Sequence, residues 1–408
     1  MGVMETRIQV PSDLDAVTTA GTETAHSAAG PVWDAVRDWY RTGLHPAIQV
    51  CLRVDGDVIL DRSIGHGWGN APSDPPDAER ILATPETPFC VYSAAKGITS
   101  TVIARLVEQG ALDLDGRVCE YLPDFTSHGK HRIRLRHVLT HTAGVPVFPS
   151  GTDFTELADH DYAIDRLRQL RPIAPPGLLP VYHAVTFGFL TREIVQSATG
   201  RSIRDILRTD VLDPLGFRWT NYGVDAEDVP FVAPSHPTGE ELTGPLAVAF
   251  DRVIGGSMYK VIPATNDPRF LTTVVPSSNT VSNANELSRF YEILRRGGEL
   301  DGVRVLSEDT LKASVTPQTR LLPNVAVGLN PMRWGLGFML SHDRFGPFGT
   351  KSGGAFGHTG LVNVAGWTDP ARGLSAAIVS SGKPGPNHGR DHYRDVLNTI
   401  TGSVKRRR

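Results

Sequence analysis

Apolar positions along the 408-residue chain change period several times, and those changes divide it into blocks. Val32, Val36, Trp39 and Tyr40 recur at helical spacing over 31–42. Two β-rich runs follow, 47–54 and 58–64, separated by Asp55-Gly56-Asp57, which predicts an antiparallel hairpin. A Pro- and Asp-rich loop over 72–88 leads to a short apolar run, 89–92, and then to Ile98, Val102 and Leu106, a helical pattern ending at Gly110. From 118 to 223 the period is mostly helical, with helices predicted over 136–142, 154–170, 183–199 and 202–212, the last opening on a Ser202-x-x-Asp205 cap. Residues 229–278 are rich in Pro, Gly and Thr with little period, as expected of loops forming the rim of a substrate site. Order returns with a helix over 283–296, a strand-like run over 302–306 and a helix capped by Ser307. Strands are predicted over 334–340, 362–368 and 374–380, then a closing helix over 388–404.

Strands at both ends with helices between predict an α+β fold, an α/β sandwich interrupted by an all-helical insertion. The boundaries expected are a flexible lead-in over 1–30, a sandwich domain from 31–115 plus 275–408, and a mainly helical domain with the rim loops over 116–274. No internal repeat or low-complexity segment interrupts this pattern.

Composition narrows the class of function. With 40% apolar and 21% charged residues the chain reads as globular, and 41 basic against 44 acidic residues give a net charge of −3. That balance argues against nucleic acid or an anionic membrane as partner. Cys51, Cys90 and Cys119 form neither a C-x-x-C pair nor an even set, which fits free thiols in a reducing compartment. No secretory signal and no apolar run long enough to span a bilayer is visible, so a cytoplasmic location is expected. The Met1-Gly2 start matches the loose myristoylation pattern only weakly.

The candidate chemistry begins at Ser93-Ala-Ala-Lys96, a hydroxyl and an amine one helical turn apart. Ser-x-x-Lys also occurs at Ser127/Lys130, Ser257/Lys260 and Ser380/Lys383, but each of these reads as loop. Only Ser93 stands between an apolar run and a helix, where it could alternatively be no more than a helix cap. To act as a base near neutral pH, Lys96 must lose about three pKa units, or roughly 4 kcal/mol, which burial can supply. Tyr182, after a Pro/Gly-rich approach to a helix, is the candidate for relaying the proton. The Gly-flanked turn His358-Thr359-Gly360 leads into an apolar strand, and Leu361 just beyond it is the candidate second oxyanion donor beside the Ser93 N–H. Lys351-Ser352-Gly353 competes for this place but has no strand after it.

In this order and spacing, Ser93-x-x-Lys96, Tyr182 and His358-Thr359-Gly360 resemble the serine β-lactamase and penicillin-recognising superfamily. The likeness is closest to its class C-like esterases, the family VIII carboxylesterases. Flanking text supports it over 45–400, including VYSAAKGITS, LRHVLTHTAGVP, YHAVTFGFLTREIVQSATGRS and FGHTGLVNVAGWTDP. The resemblance implies an antiparallel sheet flanked by helices, a Ser93 acyl-enzyme, and Lys96 and Tyr182 as general base and acid. It also implies His358, Thr359, Gly360 and Leu361 at the substrate and oxyanion site, with no cofactor and no metal. Penicillin-active class C members carry Asn where this chain has Ala184, and Lys where it has His358, so groups that a lactam needs and an ester does not are missing.

The function expected is therefore hydrolysis of small to medium carboxylic esters, the substrate itself being the only partner indicated. A β-lactamase or D-alanyl carboxypeptidase activity, acyl transfer, or a non-catalytic binding protein of the same fold are the alternatives. His137 and His141 have the spacing of a zinc site, yet Val138 stands where a metalloprotease carries Glu. No Gly-x-Ser-x-Gly elbow, Walker box or Gly-x-Gly-x-x-Gly turn is present, so the α/β-hydrolase and nucleotide-binding routes are set aside. Oligomeric state has no readable signal.

Overall fold

The computed structural model describes residues 6–407 apart from 150–151, 154, 242, 324–330 and 386–389. Its centre is an antiparallel sheet built from β1 (Thr18–Glu23), β2 (Ala47–Val54), β3 (Asp57–Trp68), β4 (Pro331–Trp334), β5 (Met339–Leu340), β6 (Phe356–Thr359), β7 (Ala365–Asp369) and β8 (Leu374–Ser380). These strands run across it in the order β1, β3, β2, β8, β7, β6, β5, β4. The two ends of the chain meet in the middle, where β8 pairs with β2 and Ile378 lies opposite Val50. In the β2–β3 hairpin Val54 faces Asp57, and both intervening residues, Asp55 and Gly56, have positive φ, as a two-residue primed turn requires.

Alternation along β2 divides the core. Ile48, Val50 and Leu52 pack with Val32, Val36 and Trp39 of α1 (Ala29–Tyr40) and with Val396, Leu397 and Ile400 of the closing helix (Arg390–Ser403). Ala47 and Cys51 point to the other face, into a core shared with α2 (Ala95–Glu108) and with α4 (Ala284–Arg295). The same core takes in the apolar faces of the helical block, including α3 (Thr186–Thr199). The Ser93 helix is thus clamped between the sheet side and the helical block. Its approach to α4 is close: a Cβ at Gly97 would lie 2.1 Å from the Tyr291 hydroxyl.

Several expectations are corrected. Within the loose lead-in, Thr18–Glu23 adds an edge strand paired with β3; residues 1–5, with the myristoylation pattern, lie outside the described residues. The rim over 229–278 contains the helices Gly244–Ile254, Met258–Ala264 and Pro268–Thr272. Two of these carry Pro in the first turn, where its missing N–H costs nothing, so residues that signal loop also start helices. The strand over 334–340 is two strands, β4 and β5, folded back at Gly337 with φ 83°. The strand over 362–368 begins only at Ala365, because Val362 and Asn363 adopt positive φ. The helix over 154–170 is His160–Arg168, position 154 lying outside the described residues, as do 388 and 389 of the closing helix. No helix among the described residues is long and apolar enough to cross a membrane.

Candidate active site

The strand Phe89–Cys90 pairs with Thr280–Ser282 and delivers the chain to a single 3-10 turn, Tyr92–Ala94, that runs into α2. Tyr92 has φ 50°, a left-handed conformation uncommon for a bulky residue, and its hydroxyl lies 2.8 Å from Thr265 Oγ1. Ser93 follows directly. Neither the 3-10 turn nor α2 has a side-chain cap, which removes the reading of Ser93 as a helix cap.

The Ser93 hydroxyl accepts instead from Lys96, with Nζ at 3.0 Å. Lys96 is wholly buried, and its remaining bonds go to the carbonyls of Ala184 (2.7 Å) and Ser277 (3.0 Å). As an ammonium it donates to all three; as a neutral amine it keeps both carbonyls on its two N–H bonds and turns its lone pair to the serine. Burial holds its pKa well below 10.5. Its place in the first turn of α2, beside the chain entering α3, adds the positive ends of two helix dipoles in the same direction.

Tyr182 lies in irregular chain four residues before α3, not at the start of that helix as expected. Its ring stacks on Trp334 at 5.6 Å and is flanked by His141 at 4.8 Å and His358 at 6.0 Å. The Lys96 amine sits 5.0 Å from the ring centre. Burial raises the phenol above its usual range while the neighbouring Ser93 hydroxyl pulls it down. Tyr182 is therefore protonated at neutral pH.

His358 is buried in β6, its Nδ1 donating to the Thr359 carbonyl at 2.7 Å. Burial, then the Lys96 charge, lower its pKa, so the ring is neutral. The Thr359 hydroxyl donates to Met339 Sδ at 3.4 Å. Gly360 follows where the chain closely approaches the segment leading to Ser93: a Cβ there would lie 2.4 Å from the Val91 carbonyl. Only glycine lets the end of β6 pass that close, and Leu361 lands beside Ser93 on the wall of one cavity.

That cavity, about 480 Å³, is lined mainly by apolar groups including Leu157, Phe189, Ile254, Val261 and Phe270, with Ala184 next to Ser93. Four of these come from the rim helices and the segment before His160. The structure thus brings Ser93 and Lys96, Tyr182, and His358 and Leu361 together from three separate stretches. Lys351-Ser352-Gly353 is elsewhere: Ser352 bonds Ser341 and Gly349, and Gly353 bonds Asp343. His137 and His141 are engaged separately, His137 Nδ1 accepting from the Arg134 N–H and His141 Nδ1 from the His183 N–H.

Sequence reasoning missed Ser277, Trp334 and Thr265. Ser277 acts through its carbonyl, which side-chain identity cannot signal. Trp334 was read only as a strand residue, and Thr265 fell in a stretch read as loop. The second Ser-x-x-Lys pair gives a useful contrast, because Lys130 Nζ also reaches Ser127 Oγ at 2.8 Å. Its other bonds go to the carbonyls of Arg168 and Leu170 at the C-terminal, negative end of helix His160–Arg168, which opposes the lowering of its pKa by burial and by the Arg171 charge.

The beta-lactamase family model matches residues 36–399. The chain belongs to the beta-lactamase family. It is similar to the esterase/beta-lactamase LipL of Mycobacterium tuberculosis, at 31% identity over 344 residues, covering 81% of this chain and 76% of that protein. Among solved structures it resembles a penicillin-binding protein homologue from Caulobacter crescentus, with a TM-score of 0.81 and 25% identity over 95% of this chain and all of that one. A family VIII carboxylesterase shares the fold, with a TM-score of 0.76 at 23% identity, covering 93% of this chain and 99% of that one. The motif resemblance and the α+β fold expected from it therefore hold, and the chain is a hydrolase of this family.

Proposed function

We propose that the protein hydrolyses small to medium carboxylic esters through an acyl-enzyme on Ser93. The observation that carries this reading is the buried Lys96 amine, 3.0 Å from a serine hydroxyl on the wall of an apolar cavity. In the neutral state Lys96 takes the Ser93 proton as Oγ attacks the ester carbonyl. The backbone N–H groups of Ser93 and Leu361 receive the oxyanion. Tyr182, held protonated by burial, gives its proton to the departing alkoxide and is reprotonated from Lys96. Water then attacks the acyl-Ser93 carbonyl and gives its proton to the neutral Lys96, while Tyr182 protonates the departing Ser93 Oγ and is again reprotonated from Lys96. The substrate is the only partner this chemistry requires.

A second reading, β-lactam or D-alanyl peptide hydrolysis, is favoured by the family and by the name of the relative LipL. Ala184 and the neutral, buried His358 weigh against it, since neither offers a lactam an amide or a cation. Turnover of a short-chain nitrophenyl ester against a chromogenic cephalosporin, in wild type and Ser93→Ala, separates the two. Ester turnover well above cephalosporin turnover, lost in Ser93→Ala, is expected. Ester turnover surviving in Ser93→Ala would refute the site, and faster cephalosporin turnover would promote the second reading.

A further inference from the structure

Behind the oxyanion face lies a second buried amine that the chemistry above does not use. Lys383, in the short strand Gly382–Pro384, is 1% exposed. Its Nζ donates to the carbonyls of Val362 (3.4 Å) and Ser380 (2.5 Å) and lies 5.1 Å from the centre of the Tyr92 ring. Those contacts fall on the neighbours of the two oxyanion donors. Tyr92, with φ 50°, immediately precedes Ser93; Val362 and Asn363, with φ 42° and 60°, immediately follow Leu361.

All three neighbours are held in a conformation that a side chain disfavours and that the surroundings must over-determine. Lys383 supplies part of that determination on both sides, and Ser380 adds to it by donating from Oγ to the Asn363 carbonyl at 3.2 Å. A buried amine is a costly way to fill space, and burial lowers its pKa to about 7; whether charged or neutral, a single amine bonded to the Val362 carbonyl and resting against the Tyr92 ring ties two separate chain segments together.

We propose that Lys383 is a positioning residue: it braces the Tyr92 turn and the 361–363 turn against one another and so sets the separation of the Ser93 and Leu361 N–H groups. This rests on the reading of Ser93 as nucleophile and Leu361 as oxyanion donor. The brace touches no substrate. Its effect is on the tetrahedral species, not on ground-state binding.

The test measures nitrophenyl ester kinetics, inhibition by an alkylboronic acid, and the melting temperature of Lys383→Met and Ser380→Ala, with Ser93→Ala as reference. Lys383→Met is expected to lower kcat by about 10- to 100-fold, up to the scale of a lost oxyanion donor, with KM within about twofold. Boronic acid affinity should fall with kcat, because the tetrahedral boronate places an oxygen in the same hole. Ser380→Ala, which leaves Lys383 in place, should show a smaller loss in both. A folded Lys383→Met with unchanged kcat and boronate affinity, or with its loss confined to KM, overturns the proposal. Should Lys383→Met not fold, Ser380→Ala decides alone: coupled losses support the brace and unchanged values overturn it. An active Ser93→Ala would instead strike the parent reading, which an inactive Ser93→Ala beside an unaltered Lys383→Met leaves standing.

Discussion

Lys96 meets Ser93 at 3.0 Å with its other bonds on the carbonyls of Ala184 and Ser277, so the backbone fixes the amine and the serine receives its one adjustable contact. Removing the amine removes the proposed base without touching the proposed nucleophile. Lys96→Met should lower kcat on a nitrophenyl ester by at least about a hundredfold, the general-base scale. Active-site titration of Ser93 by an organophosphonate, followed by intact-mass measurement, checks that the slow variant is folded but poorly activated. A Lys96→Met enzyme within tenfold of wild type would remove Lys96 from the mechanism.

The same burial gives a pH signature. In the folded protein the Lys96 proton leaves well below 10.5, so kcat/KM should rise with pH through the folded pKa as the neutral base accumulates. Stability follows by linkage. Between the folded and unfolded pKa the unfolded chain holds the extra proton, so the Lys96 contribution to stability increases as pH rises, and its full penalty is present below the folded pKa. Denaturant unfolding of wild type and Lys96→Met at several pH values should show wild type gaining on the variant toward alkaline pH. A difference independent of pH would show that burial does not shift this amine.

Tyr182 is packed by its ring, and the proposed mechanism uses its hydroxyl. The stack on Trp334 and the flanking His141 and His358 rings survive in Tyr182→Phe. That variant should keep its melting temperature within a few degrees while kcat falls at least about a hundredfold. Thermal unfolding beside ester kinetics separates the roles; an unchanged rate would take Tyr182 out of the proton path.

Much of this site is legible in the sequence because its parts sit at points where local pattern changes. Ser93 lies where an apolar run meets a helix, His358 where a Gly-flanked turn borders a strand, and the Ala47–Val54 hairpin partner is announced by Asp55-Gly56. What stayed hidden is tertiary. The carbonyl of Ser277 reaches Lys96 across 181 positions, and no residue type encodes a carbonyl. The rim helices were masked by prolines that occupy first-turn positions, and the late start of the Ala365–Asp369 strand by the positive φ of Val362 and Asn363, the first of them a β-branched residue that signals strand rather than turn. The break between Pro331–Trp334 and Met339–Leu340 was carried only by two glycines inside an otherwise apolar stretch.

Gly97, one residue past the proposed base, offers a test of how α2 is seated. A Cβ there would meet the Tyr291 hydroxyl at 2.1 Å, and Tyr291 is buried on α4. Gly97→Ala should destabilise the protein by about 1–3 kcal/mol, the usual cost of overpacking, despite the better helix propensity of Ala. Tyr291→Phe in the same chain removes the clashing oxygen and should recover part of the loss. Denaturant unfolding of both single variants and the pair gives the coupling directly, and purely additive effects would mean that the clash is absorbed elsewhere.

Lys130 provides the opposite case to Lys96 with nearly the same local geometry. Its amine also reaches a serine and two carbonyls, but those carbonyls belong to Arg168 and Leu170 at a helix C-terminus, and no residue of the pair lines the cavity. Lys130→Met leaves buried carbonyls without their donor and should cost about 1–3 kcal/mol of stability. Ester kcat and KM should stay within about twofold of wild type. Measured together, unfolding and kinetics of Lys130→Met and Lys96→Met should give opposite signatures, stability lost with activity kept in one and activity lost in the other. A Lys130→Met enzyme that folds normally yet loses activity would mean that the Ser-Lys contact alone, without Tyr182 and the Leu361 N–H, is enough to mark a working site.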